Sequence, residues 1–208
     1  MSPTNTRKDP NEVAIETYCP TSREDWRQWL QVNHDTKQSI WLIYFKKIAK
    51  KPTVSYSDAV DEALCFGWID SRAKPLDGER FMQFFSRRKP TSVWSKVNKT
   101  KIKRLVEEGK MTQAGFDSID RAKQNGSWTI LDEVEELIIP PDLNEKFEGR
   151  SRAKDYFKSL SRTDQRNILQ WLVLAKRAET RSNRITEIVE LADQELKPKQ
   201  FRGKQSSQ

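Results

Sequence analysis

A chain of 208 residues is long enough for one domain with a real core, or for one domain carrying a helical extension. Charged residues make up 33% of it and mean hydropathy is −0.86, yet seven Trp and nine Phe are too many for a disordered chain, so an ordered, well-solvated protein is expected. No apolar run approaches the roughly 18 residues of a membrane helix, which excludes a helical membrane span; the net charge of +8 raises nucleic acid as a partner, although more than half of that excess lies in the two termini.

Residues 1–12 are polar and aperiodic and are expected to form a flexible tail. They lack the apolar stretch of a secretory leader, and Cys19 and Cys65 show neither a CxxC spacing nor a disulfide framework. Both features fit the reducing cytoplasm, the expected location. Residues 13–18 suit a short strand. Thr21 and Ser22 supply N-cap oxygens, with Glu24 completing a capping box, for a helix over about 23–32 that places Trp26, Trp29 and Leu30 on one face. His34, the single histidine, falls at the end of that helix, where it caps carbonyls or meets solvent. Residues 39–45 (Ser-Ile-Trp-Leu-Ile-Tyr-Phe) give the strongest strand signal and belong in the middle of a sheet.

A basic loop over 46–52 follows. Ser55 with Asp58 opens a second helix whose Val60, Ala63 and Leu64 point inward, and Gly67 stops it. Residues 68–74 and 80–85 read as strands joined through Pro75-Leu76-Asp77-Gly78, whose Asp-Gly pair is a turn signal. Beyond Pro90 the pattern is helical. One helix carries Val97, Ile102, Leu105 and Val106 and closes at Gly109; the next opens at Thr112, buries Ile119 and Ala122, and stops at Gly126. Pro140-Pro141 breaks the chain, and residues 151–160, 163–177 and 180–196 form three more helices, the last with Ile185, Ile188, Val189, Ala192 and Leu196 on one stripe. The expected fold class is α+β: a small, mostly antiparallel sheet with helices over 13–110, then an all-helical part over 111–196. A basic flexible tail, 197–208, ends the chain.

The common catalytic signatures G-x-S-x-G, the Walker loop and G-x-G-x-x-G are absent. One His and two distant Cys leave no structural zinc set, and no metal or cofactor is expected. The best constellation is Trp68, Asp70, Arg72, Arg88, Trp94, Ser95 and Asn98, polar groups set among large apolar ones that must find partners or stay wet. On a regular strand residues 68, 70 and 72 share one face, so Asp70 and Arg72 would stand side by side and clamp a polar ligand against an indole. The competing account is an Asp–Arg pair on a solvated sheet face with Trp68 and Trp94 as core anchors. An enzyme built on Asp70, Arg72 and Arg88 would need Asp70 buried to be a useful base. Residues 87–104 hold Arg87, Arg88, Lys89, Lys96, Lys99, Lys101, Lys103 and Arg104 with no acid; with the C-terminal tail they suggest weak, non-specific nucleic-acid binding, though the lysines scatter around a helix.

Four segments occur in a telling order: Phe66-Gly67-Trp68-Ile69-Asp70-Ser71, Ser92-x-Trp94-Ser95-x-x-Asn98, Gly109-Lys110-Met111-Thr112-x-Ala114-Gly115, and Ala175-Lys176-x-x-Glu179-Thr180-Arg181-x-x-Arg184-Ile185. Together they resemble the bacterial YdeI/OmpD-associated, or bacteriocin-protection, family over residues 29–191. Arg87, Val93 and Gln113 depart from the family pattern, where Pro, Asn and Pro are usual. The resemblance implies a non-enzymatic part in tolerance to antimicrobial peptides or envelope stress. It assigns no catalytic residue, cofactor or substrate, and leaves the ligand or protein partner and the oligomeric state open.

Overall fold

The computed structural model describes residues 16–202, and the fold is α+β with a helical C-terminal part. The chain forms two compact units: the first takes the residues up to Ser92 together with Asn98–Arg121, the second Val93–Val97 and the residues from Ala122 onward.

In the first unit, β1 (Thr17–Tyr18), β2 (Ser39–Phe45), β3 (Trp68–Pro75) and β4 (Arg80–Arg87) form a sheet in the order β1-β2-β4-β3. β1 runs parallel to β2 and the other pairs are antiparallel. The expected strand start at residues 13–15 lies outside the described residues, as do residues 1–12. β2 buries five residues in succession, as an inner strand covered on both faces does. Ile40, Leu42, Tyr44 and Phe85 face two helices, α1 (Arg23–Asn33) and α2 (Tyr56–Cys65); the Trp26 ring lies 5.6 Å from Phe85, and its indole N–H donates to the Ala59 carbonyl at 3.1 Å. Trp41, Ile43 and Met82 form a small cluster on the opposite face, with Cys19 and Phe84 against it.

Both helices start as their hydroxyls dictate. Ser22 Oγ accepts from the Asp25 amide at 3.1 Å and Ser55 Oγ from the Asp58 amide at 3.1 Å. The acid that reciprocates at α1 is Asp25 rather than Glu24: its carboxylate takes the Thr21 N–H at 2.8 Å and the Tyr18 hydroxyl. The periodicity of α2 marks Val60, Ala63 and Leu64 as inward, but Asp61 and Glu62 are buried beside them, each only 1% exposed. Glu62 receives Arg23 Nε at 2.5 Å and Arg27 Nη1 at 2.6 Å; Asp61 receives Lys101 Nζ at 2.6 Å and Arg104 Nη2. Two cations per carboxylate offset the desolvation that would otherwise forbid burial.

Past α3 (Lys96–Glu107), the start of α4 (Gln113–Gln124) is held to the end of α2. The Cys65 carbonyl accepts from the Thr112 amide at 3.2 Å and the Thr112 hydroxyl at 2.6 Å. Two glycines permit the approach. Gly67 sits at φ +71°, a left-handed conformation, with the Ala114 carbonyl oxygen 2.9 Å from where a Cβ would stand; a Cβ on Gly115 would lie 2.3 Å from the Cys65 oxygen. Residues 111–121, which the sequence pattern groups with the helical part, therefore belong to the first unit.

The second unit packs α5 (Asp132–Glu135), α6 (Pro141–Phe147), α7 (Ser151–Ser159), α8 (Arg162–Val173) and α9 (Ala178–Asp193) around Leu143, Phe147, Phe157, Ile168, Leu169, Leu172, Ile188 and Val189. The first two of these helices span four and seven residues, too few for a periodic signal. Pro140-Pro141 does not only interrupt the chain: Pro141 opens α6, its fixed φ suited to the first turn. α8 stops at Val173, short of the expected 177, and α9 at Asp193, which leaves Leu196 off the buried stripe and 39% exposed. Residues 197–202 are not a loose tail. Pro198 is buried, Lys199–Phe201 form a 3-10 turn, the Phe201 ring lies 5.9 Å from Trp171, and Lys197 Nζ lies 3.2 Å from Asp164 Oδ1. Residues 203–208 lie outside the described residues.

Candidate functional site

Trp68, Asp70, Arg72, Arg88 and Asn98 belong to the first unit, Trp94 and Ser95 to the second. Trp68 and Trp94 are core residues, 0% and 1% exposed; the Trp68 indole N–H donates to the His34 carbonyl at 3.1 Å, and the Trp94 ring lies 5.0 Å from Trp128. Ser95 and Asn98 are half-buried.

Asp70 and Arg72 do not stand side by side. The pairing of β3 with β4 is regular from Trp68 opposite Arg87 to Asp70 opposite Phe85, then shifts, resuming with Ala73 opposite Gln83. Ser71 and Arg72 therefore share one partner position. A bulge of this kind breaks the period of two and sends the next side chain to the other face. Arg72 lies over the rings of Trp41 and Phe84 at 5.5 and 5.6 Å, and Lys74 over Trp41 at 4.4 Å, on the face away from α1 and α2. Asp70 stays on the helix-covered face, where its Oδ2 accepts from the Tyr56 hydroxyl at 2.7 Å and from Gln83 Nε2 at 3.1 Å. The bulge leaves the Ser71 carbonyl to accept from the same Gln83 amide at 2.8 Å.

Around Asp70 the tyrosines are held neutral. Burial and the Asp70 hydrogen bond push Tyr56 up to about 12; burial, then the Asp70 charge, push Tyr44 beyond the ordinary tyrosine range. Arg88 is the one lysine or arginine buried among the described residues, 8% exposed. Burial pulls its guanidinium down to about 9, against the opposing pull of the Asp70 charge.

Arg88 also lines a cleft of about 770 Å³ that the sequence pattern does not reveal. It opens where the end of α1, the turn Phe66-Gly67, the start of β2 and the end of β4 meet the flank of α4. Ala114, Asp117 and Arg121, spaced three and four along α4, face it. Across from them stand His34, Asp35, Arg87 and Lys89. The His34 ring packs against Phe66 at 5.2 Å, and its Nδ1 lies 3.0 Å from the Leu30 carbonyl oxygen; a carbonyl only accepts, so Nδ1 carries the proton. Arg87 Nη1 donates to the Asp35 carbonyl at 3.0 Å, and the Arg88 amide to the Gly67 carbonyl at 2.9 Å. The cleft thus has four cationic side chains and two carboxylates, with half-buried Phe84 and the edge of buried Phe66 as its apolar wall. The signal available in the sequence is the pair of glycine-bearing segments, which fix α4 and so create the second wall.

The basic residues of 87–104 are largely engaged within the protein. Lys101 and Arg104 hold Asp61, Lys96 pairs with Glu136 at 2.9 Å, and Arg88 is buried. In the second unit, Arg181 grips Asp142 through two nitrogens at 2.6 and 2.9 Å, Arg166 grips Glu135 at 2.7 and 3.0 Å, and Arg184 lies 4.8 Å over the Trp171 ring.

Two family models match the chain. Residues 18–118, which fall in the first unit apart from Val93–Val97, match one described as a domain of unknown function (DUF8412). Residues 136–195, inside the second unit, match the one described as "Bacteriocin-protection, YdeI or OmpD-Associated". No curated protein and no solved structure matches the chain. Of the four segments behind the resemblance, the one from Ala175 to Ile185 lies in the second match and the other three in the first. Over residues 136–195 the chain is thus similar to the bacteriocin-protection, YdeI or OmpD-associated family.

Proposed function

We propose that this is a non-enzymatic binding protein of the cytoplasm that contributes to tolerance of antimicrobial peptides or envelope stress, and that it works by holding a ligand in the first unit's cleft. The cleft is the observation that carries the reading. Its 770 Å³ lies within the roughly 300–1,000 Å³ of small-molecule sites, and it combines flat apolar wall with a few convergent polar groups. Asp70, which a catalytic reading would use, already accepts from Tyr56 and Gln83. The physiological half rests on the family matched over 136–195. The test is a deletion strain of the source organism challenged with a cationic peptide and complemented with the parent gene or with Arg121→Glu, which alters the cleft at an exposed position of α4. Greater sensitivity on deletion, rescued by the parent and not by the variant, is the expected result. Survival of the deletion strain equal to that of its parent would overturn the proposal.

A further inference from the structure

From the composition of the same cleft we infer its ligand class: a small phosphate monoester joined to a planar ring, of the kind a nucleoside monophosphate represents. The inference rests on the binding reading above and adds chemistry to it. Arg87, Arg88, Lys89 and Arg121 outnumber Asp35 and Asp117, so the cleft is cationic and selects an anion. Three of the four cations are arginines, whose planar fork binds the oxygens of a phosphate two at a time where an ammonium binds as a point charge. Arg88 matters most. It is buried to 8% exposure in the cleft wall, and a charge at that depth meets a bound anion with little screening.

The remaining wall says what the anion is attached to. A bare phosphate would leave most of 770 Å³ empty. Phe84 and the His34 imidazole, both half-buried, present ring surface to the cleft, His34 resting on the buried Phe66 at 5.2 Å, while Ser39, Ser86 and Gln38 offer hydroxyl and amide groups to a sugar or ring edge. Two aspartates in the same cleft disfavour a long polyanion passing through it, which separates this ligand from a nucleic-acid strand.

The experiment is isothermal titration of the full-length protein, at low and at physiological salt, with adenosine monophosphate, adenosine, inorganic phosphate and a short single-stranded oligonucleotide. The expected result is binding of the monophosphate at least tenfold tighter than either adenosine or phosphate, weakened at least tenfold by Arg121→Glu and unchanged by Arg152→Ala in the second unit. Arg88→Met tests the buried cation; because it also alters the wall, its fold is checked by circular dichroism, and the exposed Arg121 change decides the matter should it unfold. Equal binding of adenosine, binding indifferent to Arg121→Glu, or binding of the oligonucleotide without the monophosphate would each overturn the ligand class. Should the strain test succeed while the monophosphate fails to bind, the ligand class falls and the binding reading stands; failure of the strain test with monophosphate binding intact removes the role in peptide tolerance and leaves the cleft's binding and its ligand class standing.

Discussion

Gly115→Ala sets two physical effects against each other. In an exposed helix, replacing Gly by Ala stabilises by up to about 1 kcal/mol, because Ala loses less backbone freedom on folding. Gly115 lies in the first turn of α4, facing the end of α2. Its new Cβ would stand 2.3 Å from the Cys65 carbonyl oxygen and 2.9 Å from the carbonyl carbon, with Met111 Cε at 2.7 Å. The methionine tip can swing aside; the backbone carbonyl cannot, so α4 must retreat by about 1 Å to reach ordinary contact. Overpacking of this kind costs roughly 1–3 kcal/mol. The retreat also stretches the two Thr112 hydrogen bonds that converge on the Cys65 oxygen, worth about 1 kcal/mol each. After the propensity gain is subtracted, the expected net effect is a loss of about 2 kcal/mol, or roughly 4–8 °C in Tm for a chain of this size. Urea melts of the parent and of Gly115→Ala measure it, with Gly78→Ala as the control, since nothing lies within 4 Å of a Cβ at Gly78. A Gly115→Ala protein as stable as its parent would refute the close approach of α4 and, with it, the wall of the cleft.

Glu62→Gln is expected to cost about 2–3 kcal/mol in the same melt; the 3–5 kcal/mol typical of breaking a buried pair is discounted because Arg23 and Arg27 keep some water. Glu136→Gln, which loses the exposed pair with Lys96, should leave the melt unchanged, and equal effects of the two changes would contradict the burial of Glu62. Trp68→Ala should cost roughly 3–5 kcal/mol while Arg72→Ala, on the other face of the bulged strand, leaves stability nearly intact. Tyr18 and Tyr56 are both pushed up from 10.0 to about 12, so the stability they contribute is complete below pH 10 and is lost as pH rises toward 12. Tyrosinate absorbance followed beside circular dichroism should show ionisation lagging until the fold gives way, and midpoints near 10 in the folded protein would contradict the hydrogen bonds to Asp25 and Asp70.

Much of the fold is written in local patterns. The serines at 22 and 55, the apolar run 39–45 and the glycines at 67 and 126 each act within a few residues, and helices and strands appear where those signals stand. What stays hidden depends on contacts distant in sequence. Nothing near Asp61 or Glu62 shows that they are buried, because their cations come from Arg23, Arg27, Lys101 and Arg104. The bulge at Ser71 and Arg72 is invisible to an alternation rule, which puts Arg72 on the wrong face and pairs it wrongly with Asp70. The cleft assembles five segments, and of the residues that stand out in the sequence as site candidates only Arg88 lines it. Pro198 is buried and Phe201 packs against the helical core in a stretch whose composition reads as tail.

The first unit is sewn from two lengths of chain, with five residues of the other unit between them. A ribosome delivers these lengths in order, and the sheet, α1 and α2 have emerged before Lys101, Arg104 or Thr112 exists. During that interval Asp61 lacks the two cations that later hydrogen-bond to it, and the Cys65 carbonyl lacks the Thr112 donors it later accepts. Until about residue 112 has left the tunnel, seating α2 fully would bury Asp61 without either of its hydrogen-bonded cations, at the desolvation cost those cations offset in the finished unit. A fragment ending near Ser92 would stop the protein at that stage: strands and helices present, Asp61 without those two cations, and no α4 to close the cleft.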